Sequence, residues 1–145
     1  MGCDIHIYVE KKVKNEWENG DVFVKNKYFG IDETEPEYKV NEIHSTRNYN
    51  LFALLANVRN YGGIDPISRP RGLPGDVSVF VKNKSDSYGS DGHSHSYLNL
   101  FEIKKFSENE LLKDIITKLE YRQKDLKIYG ENADSNIRIV FWFDN

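Results

Sequence analysis

Both ends of this chain alternate apolar and polar residues, and no other feature of the sequence constrains the fold as strongly. Between residues 3 and 9 every second residue is apolar, which predicts a β-strand with one buried face. The opposite face of that strand carries Asp4, His6, Tyr8 and Glu10. Residues 137–143 alternate in the same way, with Ile139, Phe141 and Phe143 on one face. A strand at the start of a chain needs a neighbour, so we expect these two segments to pair.

The middle of the chain has the periodicity of helices. Leu51, Leu54, Leu55 and Val58 form one stripe, which predicts a helix over residues 48–60 with Asn48 or Asn50 as its cap. A short helix is expected from Asp76 or Ser78 to about Asn83. A longer one is expected from Ser107 to about Gln123, and Asn99 with Glu102 has the spacing of a capping box.

The remaining segments are predicted to be turns, short strands and loops. Strand-like pieces at residues 16–17 and 22–24 flank Asn19-Gly20, a strong hairpin signal. Residues 30–46 and 85–96 lack periodicity and are predicted to be loops. Together these elements predict an α+β fold in one domain, residues 1–145: a mostly antiparallel sheet including both terminal strands, with two or three helices packed on one face.

Composition narrows the class of protein. The 145 residues suffice for one core, and the net charge of −3 argues against binding a long nucleic acid. The single cysteine, Cys3, excludes an intrachain disulfide, and its apolar neighbours favour a buried thiol. The sequence contains neither a leader-like segment nor a membrane-spanning run, so we expect a cytoplasmic protein that does not bind membranes.

Three of the four histidines stand beside aspartates. Asp4 precedes His6 by two residues, and Asp91 precedes His93 in a segment that also holds His95. If the two groups meet, they predict a catalytic site. The five side chains are either ligands of a divalent metal or metal-free acid–base groups. A solvated loop over residues 91–96 and a water-facing His6 are the alternatives.

Arginines near a predicted helix start indicate an anion site. Guanidinium groups match phosphate oxygens, and the N–H groups of a helix start add to the attraction. The candidate ligand-binding residues are Arg47, Asn48, Arg59, Arg71, Ser94 and Ser96. A pair of His-x-Thr/Ser elements, His44 with Thr46 and His93 with His95 and Ser96, is a minor alternative, because His44 falls in a predicted loop.

Five segments of the sequence resemble a widespread set of small phage and prophage proteins. They are residues 1–6 (MGCDIH), 47–60 (RNYNLFALLANVRN), 67–74 (ISRPRGLP), 91–96 (DGHSHS) and 138–145 (RIVFWFDN). The resemblance leaves out residues 11–46 and 104–136 and implies no established mechanism. It does imply a setting, the cytoplasm of an infected bacterium, where small phage proteins often cleave or sequester the nucleotide signals of host defence.

Three functions follow from these observations. The first is hydrolysis of a phosphodiester bond in a small linear or cyclic nucleotide by the histidines and aspartates, either with a divalent metal as cofactor or without one. The second is a sponge that binds the same ligand without cleaving it, typically as a homo-oligomer. The third is a protein inhibitor in which the histidine segment has no chemical role.

Overall fold

A four-stranded antiparallel sheet is the centre of the fold in the computed structural model, which describes residues 2–145. Its strand order is β2-β1-β6-β5. A separate two-stranded sheet pairs β3 with β4. The strands are β1 (Asp4–Val13), β2 (Glu16–Asn19), β3 (Phe23–Lys25), β4 (Tyr38–Val40), β5 (Gly92–Asn99) and β6 (Ile137–Asp144).

The two terminal strands pair as the sequence predicts. β1 and β6 run antiparallel from the pair Asp4–Asp144 to the pair Lys11–Ile137. Ile5, Ile7 and Val9 of β1, together with Ile139, Phe141 and Phe143 of β6, form one buried face. This pairing makes the first and last segments of the chain the two central strands of the sheet.

Helices cover that apolar face, which confirms the α+β prediction. The helices are α1 (Tyr49–Ala56), α2 (Val79–Ser87), α3 (Leu100–Lys104) and α4 (Lys113–Asp125). Helices α1, α3 and α4 supply buried residues such as Phe52, Ile103 and Leu119 to the same core. Asn48 caps α1 by accepting the N–H of Leu51, and the capping box predicted at the start of α3 is present.

Helix α2 packs on the opposite face of the sheet. There Val81 joins Tyr8, Val140 and Trp142 in a second, smaller cluster. β6 is therefore covered on both sides, and Ile137–Phe143 is buried at every position. None of the helices described in residues 2–145 is both long and apolar enough to cross a membrane.

The first hairpin turns earlier than predicted. β1 extends to Val13, and Lys14 and Asn15 both adopt positive φ, 49° and 68°, which matches the twist of a two-residue hairpin. The Asn19-Gly20 prediction was wrong because this segment still lies along β1, where the Gly20 N–H donates to Val9. A Cβ on Gly20 would lie 3.1 Å from Leu126, so this glycine permits close packing.

The predicted loop over residues 85–96 is also corrected. Helix α2 continues to Ser87, and β5 begins at Gly92 on the edge of the sheet. The register against β6 shifts between His93 and Ser96, and Ser94 has a φ of 55°. This β-bulge breaks the alternation by which a strand is recognised in a sequence.

Element boundaries account for the other differences. Helix α1 ends four residues early, because Asn57 takes the left-handed conformation. Asn109, and not Ser107, caps a 3₁₀ turn that leads into α4 at Lys113. The segment 30–46 contains the short strand β4, whose hydrogen bonds to β3 are long-range in sequence and leave no periodic pattern.

A buried ion pair fastens α2 to the sheet. The Glu10 side chain is fully buried and accepts from Arg138 at 2.8 Å and from the Ser78 N–H at 2.8 Å. Arg138 is 5% exposed, donates to Asp76 and lies 3.9 Å from the ring centre of Trp17. Ser78 is the cap of α2, so one carboxylate joins β1, β6 and the start of this helix.

We expect Glu10→Ala to lower the free energy of unfolding by about 3–5 kcal/mol, because it leaves the buried Arg138 charge without its main partner. Urea unfolding monitored by circular dichroism measures the change. The control is Lys82→Ala, which removes an exposed ion pair with Asp86 and should change stability by about 0.5 kcal/mol or less. A Glu10→Ala protein as stable as the control would contradict this account.

Candidate functional site

His6 is the centre of a polar cluster at the end of the two terminal strands. Its Nε2 lies 2.8 Å from Asp144 Oδ2 and its Nδ1 lies 2.9 Å from the Tyr88 hydroxyl. The Glu42 carboxylate approaches Nδ1 to 3.8 Å, and the Tyr88 ring packs 4.3 Å from the imidazole. Both ring nitrogens are thus fixed by partners from other elements, which holds the imidazole in one orientation.

The surroundings of His6 favour its charged form. Burial of the ring lowers its pKa, but the carboxylates of Glu42 and Asp144 raise it by more, and the resulting pKa lies above the ordinary value. In the neutral ring Nε2–H donates to Asp144 while Nδ1 accepts from Tyr88. In the charged ring both nitrogens donate, and the Tyr88 hydroxyl accepts from Nδ1 after turning its own hydrogen away.

A cleft of about 440 Å³ opens beside this cluster, and we call it the His6 cleft. It is lined by Ser87, Tyr88, Asp91, Asp144 and Asn145. Asp91 therefore lies in the same cleft as Asp144 and Asn145, the residues that contact His6 and His93. Asp144 binds His6, and Asn145 binds His93 Nε2, so the last two residues connect β1 with β5.

His93 lies at the rim of the other face of the sheet. It is opposite Phe143 in the register, its ring stacks 6.2 Å from that ring, and Nδ1 contacts Ser94 Oγ at 2.9 Å. The face opposite to that of Phe143 carries His6 and Trp142. The bond to Asn145 is therefore the link between His93 and the His6 cleft.

His95 returns to the His6 face but lines a different cleft. Its ring stacks on Trp142, with ring centres 5.7 Å apart and planes 26° apart, and His6 lies on the other side of Trp142 at 6.4 Å. Burial lowers the pKa of His95, and the nearby His93 and Lys82 charges lower it further. The pKa values of the two histidines on this face are therefore shifted in opposite directions, upward for His6 and downward for His95.

Two of the predicted arginines lie at the same end of the sheet as His6. Arg47 forms a two-point contact with Asp4, at 2.7 and 3.3 Å, and Asp4 is the register partner of Asp144. The Arg47 guanidinium packs on Gly2, where any Cβ would overlap it. Arg59 stands 5.5 Å from the ring centre of Tyr49, whose hydroxyl accepts the Cys3 N–H.

The other predicted ligand-binding residues have structural partners. Arg71 holds Glu102 at 2.6 and 3.0 Å and the Tyr97 carbonyl at 3.0 Å. Ser96 is fully buried and accepts the Arg71 N–H, and the Asn48 side chain is used as the cap of α1. Of these candidates only Ser94 lines a cleft, the one that also holds His95.

A metal site would need several ligands in one place. Among residues 2–145, no three His, Cys, Asp or Glu side chains gather closely enough to hold an ion. The five metal candidates lie apart. Asp4 contacts Arg47, and His6 contacts Asp144. Asp91 lines the His6 cleft, His93 contacts Asn145, and His95 lines a different cleft. His44, from the His-x-Thr alternative, bonds within its own loop to the Thr46 carbonyl.

Sequence reasoning missed four residues of the cluster: Glu42, Tyr88, Asp144 and Asn145. Asp144 could have been found, because β1 and β6 were expected to pair. Asp144 is two residues after Trp142, so alternation along the strand places it on the same face as Trp142 and Arg138. Tyr88 and Glu42 carry no such signal, since each reaches His6 from a different loop or helix end. Comparisons with known protein families, curated proteins and solved structures found no match, so the resemblance to small phage proteins stays a prediction.

We expect NMR titration to give His6 a pKa above about 6.5 in the folded protein, and Asp144→Asn to lower it, since that change removes one of the two carboxylates. A raised pKa stabilises the fold below the unfolded pKa, and this contribution is lost as pH rises through the folded pKa. The stability advantage of the wild type over His6→Asn should therefore shrink from about pH 6.5 upward. An advantage that grows with pH would refute the arrangement.

Proposed function

We propose that the protein hydrolyses a phosphodiester bond in a small nucleotide, with acid–base groups in the His6 cleft. The observation that carries this proposal is the chain of hydrogen bonds from Asp144 through His6 to the Tyr88 hydroxyl, which ends in a cleft. A carboxylate behind an imidazole fixes its tautomer and stabilises its charge, as in catalytic triads. Tyr88 lines the cleft and its hydroxyl contacts Nδ1, so we assign Tyr88 as the group that touches substrate.

Tyr88 is suited to donate a proton. Burial raises its pKa to about 12, so the phenol is protonated at neutral pH. In the proposed step the P–O bond to the leaving group breaks and the leaving oxygen takes the Tyr88 proton. His6 then returns a proton from Nδ1 to the phenolate, and Asp144 stabilises the charged ring before that transfer.

Asp91 completes the proton balance. It lines the same cleft, and its carboxylate accepts one proton from the attacking water while the water oxygen forms the new P–O bond. The proton that Asp91 gains and the one that His6 loses are exchanged with solvent after product release. Each turnover thus consumes one water and leaves both side chains as they began.

Arg47 and Arg59, which lie at this end of the sheet but outside the lining of the His6 cleft, are the groups that we assign to the substrate phosphate. Two of the five guanidinium N–H groups of Arg47 are used by Asp4, so three can bind phosphate oxygens. Burial raises the pKa of the Cys3 thiol, and the charges of Arg59 and Arg47 offset part of this rise, so Arg59 is a second cation near the same strand end. The chain as a whole carries −3, which disfavours long nucleic acids. Together with the resemblance to phage proteins, this makes a cyclic nucleotide signal our preferred substrate.

The test is incubation with a panel of cyclic and linear nucleotides, with and without EDTA, followed by heat denaturation and mass spectrometry of the supernatant. We expect new hydrolysis products, and we expect Tyr88→Phe and His6→Asn each to slow turnover by about 10²–10⁴-fold. Tyr88→Phe keeps the ring on His6 and Trp142 and removes only the hydroxyl, so it should leave the fold intact.

His44→Asn is the matched control, because His44 bonds only within its own loop and should keep full activity. Recovery of intact nucleotide after heating, from protein freed of unbound nucleotide by gel filtration, would replace the enzyme with a sponge. Loss of turnover in EDTA alone would show that a metal supplies the chemistry assigned here to Tyr88 and His6. Turnover unchanged in both site variants would refute the mechanism.

A further inference from the structure

A cleft of about 570 Å³ lies beside the His6 cleft, and we call it the His95 cleft. Its lining includes Pro70, Leu73, Ser85, Gly89, Ser94 and His95. The volume falls in the range of small-molecule sites, and the lining mixes apolar side chains with a few polar groups. The mechanism above uses none of these residues.

His95 lines this cleft. One side of its ring lies against Trp142, which is fully buried and supports it from below. The lowered pKa keeps the ring neutral near pH 7, so it carries one N–H donor and one acceptor nitrogen. Within residues 2–145 the indole N–H of Trp142 is buried and has no hydrogen-bond partner, which leaves an unmet donor beside His95.

His95 is badly placed to act on the same bond as His6. Trp142 stands between the two histidines, and the Tyr88 ring covers both His6 and Trp142, at 4.3 and 5.8 Å. A role in binding, and not in proton transfer, is what its position allows.

We propose that the His95 cleft is a nucleobase subsite, in which the base of the substrate stacks on His95 and its edge bonds to the neutral imidazole or to the neighbouring serines. Flat heterocycles fit this chemistry, because stacking on an aromatic ring needs only a π-face and the imidazole offers both a donor and an acceptor. The inference rests on the proposed function for the identity of the ligand.

The two clefts lie on either side of one short segment of chain. Ser85 and Gly89 line the His95 cleft, while Ser87, Tyr88 and Asp91 line the His6 cleft. In the proposed arrangement a nucleotide with its base on His95 extends across this segment, with its sugar over Tyr88 and Gly89, toward the Tyr88 hydroxyl. A side chain on Gly89, whose φ is +54°, would stand at this crossing, where no heavy atom outside residues 88–90 lies within 4 Å of its Cβ position.

The test uses nucleosides, which carry a base and no phosphate. In a Trp17→Phe background Trp142 is the single tryptophan, and its fluorescence reports on the ring stacked above it. We expect adenosine or guanosine to change this fluorescence saturably, while ribose and inorganic phosphate do not. His95→Ala should weaken nucleoside binding by about tenfold or more, because it removes the stacking surface.

His95→Phe keeps the stacking surface and loses the polar edge, so it should retain part of the affinity and serves if His95→Ala unfolds. In the hydrolysis assay His95→Ala should raise KM and leave kcat within about twofold. Absence of nucleoside binding to the wild type, or equal binding by His95→Ala, would overturn the subsite even if hydrolysis is found. Nucleoside binding without hydrolysis would instead overturn the catalytic proposal and keep the subsite.

Discussion

The antiparallel pairing of the first and last strands is the constraint on which the rest of the structure depends. It brings residues 138 positions apart, His6 and Asp144, into hydrogen-bond contact. It also buries one continuous apolar face against three helices. Because side chains of an antiparallel pair alternate between faces in step, burying that face fixes which polar groups meet on the other.

The second face of the β1–β6 pair carries a different kind of contact at each end and in the middle. At one end Glu10 and Arg138 form a buried ion pair that fixes the start of α2. In the middle Tyr8 and Trp142 stack with ring centres 5.2 Å apart, and Val81 of α2 packs against them. At the other end His6 and Asp144 meet the end of the same helix through Tyr88. Helix α2 is thereby fixed at both ends, which positions Tyr88 over His6.

Electrostatics distinguish the two ends. The Glu10–Arg138 pair is sealed from water, where a missing partner is costly, so it acts as structure. The His6 cluster is only partly buried and borders a cleft, and its carboxylates shift a proton equilibrium near neutral pH. Perturbed histidines that border clefts are typical of sites that move protons, and the opposite shifts of His6 and His95 fit a division between proton transfer and binding.

The sequence by itself determined the terminal strands, their pairing, the stripe and cap of α1 and the capping box of α3, because each depends on local periodicity or on fixed spacing. It also proposed His6, Asp91 and Arg47 as candidate site residues, and this assignment stays a prediction. Only the tertiary structure decided that the histidine segment is a bulged edge strand. The bulge turns His93 and His95 to different faces, and the partners of His6 come from residues 42, 88 and 144. Contacts between distant segments leave no period in a sequence, so the site could be recognised only once the sheet had brought both ends of the chain together.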